Sequence, residues 1–136
     1  ANRGKIYTPQ IVKEIEAPDG TVVFRAEPEL SREVVAKPST WDALLEALRQ
    51  PIIHPRGTAR TAMGDFPVPI AGKTGTWEVA GSISNGLFVG FAPADDPEVL
   101  VAVVVEKGGG GSSTATPIAR RIFDAYFGLD ASGEEE

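Results

Sequence analysis

The sequence predicts an α+β fold, an antiparallel sheet flanked by helices. Two observations carry this. Strand-length apolar or alternating runs recur along the chain with short turns between them, which is the pattern of antiparallel pairing. Two stretches instead place apolar residues at helical spacing, Trp41, Leu44, Leu45 and Leu48, then Ile118, Ile122 and Tyr126.

Taken in order, Gln10 to Glu16 (QIVKEIE) alternates as a strand does. Ala17-Pro18-Asp19-Gly20 is turn chemistry, because Pro presets φ and Gly accepts a positive one. Thr21 to Glu27 (TVVFRAE) is β-branched and aromatic and completes a hairpin. Pro28 and Pro38 bracket a looser connection. Ser39-Thr40-Trp41-Asp42 matches the S/T-x-x-D/E capping box, so a helix is expected to follow and to stop at Pro51. Residues Ile52 to Pro69, punctuated by prolines and by Gly57 and Gly64, read as a long loop, and long loops in compact domains are often functional.

Three apolar segments come next: Ile70 to about Val79, Leu87 to Phe91, and Val99 to Glu106. Ala94-Asp95-Asp96-Pro97 turns the second into the third, so these two are expected to pair antiparallel. The third is apolar on both faces, as a central strand covered on each side would be. Gly108 to Gly111 with Ser112 and Ser113 has linker composition. Only a helix follows, however, with Thr116 as N-cap, Pro117 at the first helical position and Gly128 closing it. Its Ile118, Ile122 and Tyr126 share a face, with Ala119, Phe123 and Phe127 beside them, and a helix so apolar is expected to pack on the sheet. The glycine run therefore reads as a loop inside one domain.

Composition bounds the function. The 136 residues suffice for one compact domain with a core, and 42% hydrophobic with 24% charged residues is ordinary globular composition. Thirteen basic and nineteen acidic residues give a net charge of -6 with no basic cluster, which argues against a nucleic-acid partner. Without cysteine there are no disulfides and no thiolate metal sites. The longest apolar run, Val99 to Val105, is strand length and does not span a membrane. The chain opens on Ala1-Asn2-Arg3-Gly4 with neither an initiating methionine nor a signal peptide, and reads as starting within a longer protein. The acidic end, residues 131–136, is expected to be a disordered tail, leaving 1–130 as the folded portion.

The chemistry concentrates in Pro69 to Thr76, PIAGKTGT. Gly72-Lys73-Thr74 matches the end of the phosphate-binding G-x-x-x-x-G-K-S/T loop, but the first glycine would fall on Pro67. The residues after Thr74 are strand-like, where that loop needs a helix N-terminus. An acyl-transfer strand fits better. Lys73 supplies a positive field for a substrate carboxylate, and the hydroxyls of Thr74 and Thr76 can bond it. Gly75 lets a substrate backbone lie close, and the Thr76 amide can face a developing oxyanion. By itself Lys73-Thr74-Gly75 is equally compatible with an ordinary strand carrying one long cation.

The neighbouring segments change that balance. AGKTGT (Ala71 to Thr76), GLFVGFAP (Gly86 to Pro93), VAVVVE (Val101 to Glu106), the glycine run and PIARRIFDAYF (Pro117 to Phe127) closely resemble the C-terminal part of the class B penicillin-binding protein transpeptidase domain. ANRGKIYTPQIVKEI (Ala1 to Ile15) resembles the segment that follows the family's second motif, and HPRGTAR (His54 to Arg60) resembles the loop leading to its third. The resemblance implies a partial β-lactamase-like fold and peptidoglycan D,D-transpeptidation, with stem peptides as substrate and β-lactams as covalent inhibitors. It implies no cofactor and no metal. It assigns Lys73 and Thr76 to catalysis and Lys73, Thr74, Gly75, Thr76 and Trp77 to substrate binding. It also implies a parent protein anchored in the bacterial cytoplasmic membrane outside this chain, on the extracytoplasmic side, with cell-wall synthesis partners.

Two departures qualify this. The family's nucleophile motif S-x-x-K is absent: three residues before Lys5, Lys13, Lys37, Lys73 and Lys107 stand Asn2, Gln10, Val34, Ile70 and Val104. The S-x-N motif is absent too, since Ile83 stands two residues before Asn85, and the chain alone is expected to be inactive. The stretch from Trp41 to Gln50 into PIIHPRGTAR is also shorter than the family's continuation before the third motif. His54, the sole histidine, is expected to be a loop residue, and Asp95, Asp96 and Glu98 to be solvated; Trp77 is either a cleft wall or core. A β-lactam-sensing or scaffolding module, and a truncated piece with no function of its own, are the competing readings.

Overall fold

A computed structural model describes residues 1–78 and 80–129. The expected tail at 131–136 lies outside the described residues. Two units divide between Trp41 and Asp42.

The first unit, residues 2–41, holds two two-stranded sheets. Strands β1 (Lys5–Tyr7) and β4 (Leu30–Glu33) pair antiparallel, and so do β2 (Glu14–Glu16) and β3 (Val22–Arg25). The predicted hairpin is therefore present, with shorter strands. Its turn closes through Gly20, at φ 84°, whose N–H donates to the Ala17 carbonyl at 2.9 Å. Asp19 accepts the Thr21 amide at 2.9 Å, and that bond lowers the carboxyl's pKa from its ordinary value. Glu14 faces Arg25 across the strands with an ion pair at 2.9 Å. The stretch read as a loose connection between Pro28 and Pro38 contains β4. That strand is four exposed residues whose partner lies at the other end of the unit, so no local signal marks it.

The second unit, residues 42–129, carries the main sheet. Strands β5 (Ala71–Trp77), β6 (Asn85–Ala92) and β7 (Val99–Val105) are antiparallel in the order β5-β6-β7. Thus β6 is central, and β7 is terminal in the sheet among the described residues, contrary to the expectation for Val99 to Glu106. Val101 and Val103 are buried, but Leu100, Ala102 and Val104 form an exposed face, with Val104 60% accessible. An apolar strand face requires cover without specifying what supplies it.

Helix α3 (Ala115–Tyr126) packs on β6 and β7. Its N-cap is Thr114, not Thr116; the helix starts earlier because Thr116 is fully buried and donates its hydroxyl to the Gly111 carbonyl at 2.8 Å. The buried face is Ala115, Ala119 and Phe123, against Phe88, Val101 and Val103. Ile118, Ile122 and Tyr126 stay exposed. Gly128, at φ 66°, ends the helix as expected, with the Leu129 amide donating to the Asp124 carbonyl at 2.8 Å.

Helix α1 (Pro38–Ile53) starts at Pro38, not after Ser39. Proline at the first helical position loses no intrahelical bond, so the capping-box register is unnecessary. Nor does Pro51 end it. The helix continues two residues, which buries Ile52 in the core, and the Pro51 carbonyl takes the Ala59 amide at 2.9 Å. Leu45 and Leu48 pack on Ala71, Phe91 and Ala94, on the sheet face opposite α3. Arg49 pairs with Asp95 at 3.1 Å, which accounts for one acid of the 94–97 turn. Within the predicted long loop lies a short helix, α2 (Arg60–Met63), held by buried Ala59 and Met63.

Candidate active site

Every residue singled out in the KTGT segment lies on β5, whose second edge is unpaired among the described residues. Pleating sends alternate side chains to opposite faces. Lys73, Gly75 and Trp77 share the face opposite α3, and Thr74 and Thr76 share the α3 side. The Lys73 ammonium turns back across the edge and donates to the Thr74 carbonyl at 2.7 Å. In an antiparallel ladder, peptide groups alternate between partner and edge. The Thr74 carbonyl so used places the Thr74 and Thr76 peptide groups on the free edge.

Thr74 is 8% exposed, and its hydroxyl pairs with that of Thr58 at 2.7 Å. Thr58 sits in the loop between α1 and α2. A cleft of about 340 Å³ opens there, lined by Ala47, Gln50, Pro51, His54, Arg56, Gly57, Thr58 and Lys73. His54 is a loop residue as expected, and its Nδ1 accepts the Arg56 amide at 3.1 Å. The cleft gathers Lys73 with Thr58, and with Thr74 through Thr58. It does not reach Thr76 or Trp77, which lie at the exposed end of β5, Trp77 at 63%.

Two supports hold this strand. The glycine loop is indeed internal: the Gly109 amide donates to the Ser84 carbonyl at 2.8 Å. A Cβ on Gly111 would collide with the Gly75 and Leu87 carbonyls. The second support holds α2, the short helix that follows the Thr58 loop. Arg120 on α3 donates to the Ala62 carbonyl at 3.0 Å and Asp65 at 2.6 Å, and lies 4.9 Å over the Phe66 ring. The hydrogen bond from Arg120 holds the Asp65 carboxyl below the usual aspartate range.

Thr58 is the site residue that sequence reasoning did not single out. The only signal was its place in HPRGTAR, and the residue itself carries no motif chemistry until the fold brings it beside Thr74.

Residues 1–124 match the family model for the penicillin-binding protein transpeptidase domain. The peptidoglycan D,D-transpeptidase MrdA of Haemophilus influenzae is 34% identical over 92% of this chain, and the matched part is 21% of that relative's length. Among solved structures, Pseudomonas aeruginosa PBP2 in complex with WCK 5153 aligns over 99% of this chain and 29% of its own, at 36% identity and a TM-score of 0.76. The D,D-transpeptidase domain of an Eggerthella lenta peptidoglycan glycosyltransferase aligns over 96% and 30%, at 32% identity and a TM-score of 0.78.

Proposed function

This chain belongs to the penicillin-binding protein transpeptidase domain family, and from that membership we propose that it is the C-terminal portion, residues 1–130, of a peptidoglycan D,D-transpeptidase domain. In this reading β5 is the strand along which the donor stem peptide, or a β-lactam in its place, is laid. The observation that carries it is the edge of β5 left unpaired among the described residues, with Gly75 adding no side chain there and Lys73 and Thr74 at its margin. An extended peptide adding to such an edge gains main-chain hydrogen bonds while flanking side chains select it.

The placement of these residues supports the following roles. A serine carried by the rest of the domain attacks the carbonyl of the terminal D,D-peptide bond. Its Oγ–H proton passes to the serine's base as the Oγ–C bond forms, and from there to the nitrogen as the C–N bond breaks and the terminal amino acid leaves as an amine. An acceptor amine then displaces the serine. The Thr76 amide, on the free edge, donates to the developing oxyanion, and each such donor is worth about 10²–10³ in rate. The hydroxyls of Thr74 and Thr76 hold the substrate carboxylate, Lys73 supplies the positive field over the reacting serine and its base, and Trp77 walls the exposed end. The mature protein works on the extracytoplasmic side of the membrane, held by an anchor outside this chain. No helix among the described residues is long and apolar enough to cross a membrane.

Labelled penicillin tests the reading. The full-length protein should form one covalent adduct, mapped by mass spectrometry to a serine outside these 136 residues. The isolated chain should form none. An adduct on any serine within this chain, or no adduct on the full-length protein, contradicts the assignment.

A further inference from the structure

Two hydroxyls meet at the margin of β5, and they are unequal. Thr74 is nearly buried on the strand, while Thr58 is exposed on the loop between α1 and α2, where it also lines the cleft with Lys73. At 2.7 Å, the Thr58–Thr74 contact is a full O–H···O hydrogen bond. It can run either way, because each hydroxyl has one proton and two lone pairs.

An anion at the edge removes that ambiguity. A carboxylate only accepts, so a carboxylate at Thr74 accepts a hydrogen bond from the Thr74 O–H. The Thr74 oxygen then accepts from Thr58, and each bond polarises the other. The same contact fixes the Thr74 side chain, whose β-branched χ1 has few wells to occupy. The loop is in turn tied down on both sides of Thr58: the Gly57 amide donates to the His54 carbonyl at 2.8 Å, and buried Ala59 donates its amide to the Pro51 carbonyl at 2.9 Å.

We propose that Thr58 is a positioning residue for substrate carboxylate recognition: its hydroxyl orients Thr74 and donates to it when Thr74 donates to the substrate. The inference rests on the reading of β5 as the substrate strand. It adds a residue outside KTGT that sets how tightly the strand holds an anionic ligand.

The experiment uses the full-length protein and the second-order rate of acylation by a fluorescent penicillin, normalised to the amount titrated at saturation. Losing one polarised hydrogen bond makes Thr58→Val about five- to tenfold slower, while Thr58→Ser, which keeps the hydroxyl, stays within about twofold of wild type. Thr74→Val is slow by itself, and the double variant is no slower than Thr74→Val, because Thr58 acts through Thr74. With the penicillin methyl ester, whose carboxylate is neutralised, the wild-type to Thr58→Val ratio falls to about one. If Thr58→Val does not fold, Thr58→Ala removes the same hydroxyl and carries the comparison. Equal rates for wild type and the hydroxyl-less variant overturn the inference. So do losses that multiply in the double variant, or a ratio unchanged with the ester. A wild-type protein that penicillin never acylates overturns the strand reading itself, and this inference with it.

Discussion

Replacing Gly111 by alanine tests whether the glycine run is built into the sheet. The new Cβ would overlap the Leu87 and Gly75 carbonyl oxygens and come within 3.0 Å of the Leu87 nitrogen. All three are backbone atoms of paired residues on β5 and β6, so relief requires moving the ladder itself. Overpacking of this kind costs about 1–3 kcal/mol, and rigid backbone on both sides puts Gly111→Ala at the upper end. Two neighbours serve as controls. Gly110 has only ordinary contacts, at 3.6 Å and beyond, so Gly110→Ala should lie within about 0.5 kcal/mol of wild type. Gly109 is at φ 80° in open space, so Gly109→Ala meets left-handed backbone strain alone, about 1–2 kcal/mol. Urea unfolding of the chain followed by circular dichroism should rank the midpoints Gly110→Ala, Gly109→Ala, then Gly111→Ala. The last should fall by about 1.5–3 M, given a slope of about 1–2 kcal/mol per M. Equal midpoints for Gly111→Ala and Gly110→Ala would refute the packing argument and return the run to the status of a linker.

The faces of α3 make a second contrast. Phe123→Ala removes a fully buried ring and should lower stability by about 3–5 kcal/mol, whereas Ile122→Ala, on the exposed stripe, should cost under about 1 kcal/mol in the same assay. A third prediction concerns pH. The folded pKa of Asp65 is depressed, so the stability it contributes is complete above the ordinary aspartate value near about 4 and is lost as pH falls through the lower folded value. Asp65→Asn should therefore flatten the acid limb of a stability-against-pH curve while leaving the neutral to alkaline range parallel to wild type. An unchanged acid limb would show that the Arg120 contact does not persist in solution.

Much of the main sheet was legible because its signals are local: turn residues between apolar runs, and a helix that ends at Gly128. Pairing across distance was not. The β1–β4 pair joins three- and four-residue exposed strands from opposite ends of their unit, and nothing within either announces the other. Where propensity and burial disagreed, burial won. Proline at 51 should stop α1, but Ile52 gains the core by continuing it; Thr116 should cap α3, but its hydroxyl is needed by Gly111. The two apolar stripes of α3 could not be ranked from the sequence, since choosing between Phe123 and Ile122 requires knowing where Phe88 and Val103 stand. At the site, the chemistry of Lys73, Thr74, Gly75 and Thr76 was readable as residue types on a strand. Thr58 was not, because its role depends on one hydroxyl contact sixteen residues away in sequence.

The central claim is that β5 is the strand that holds the substrate. A crystal structure of the full-length protein acylated by a penicillin tests it most directly. The account predicts the drug extended along the free edge of β5. Its carboxylate should lie within hydrogen-bond distance of the Thr74 or Thr76 hydroxyl, its acyl oxygen on the Thr76 amide, and the Lys73 ammonium turned from the Thr74 carbonyl toward the acylated serine. A drug bonded to serine but seated away from β5, with the Lys73–Thr74 contact intact, would contradict it.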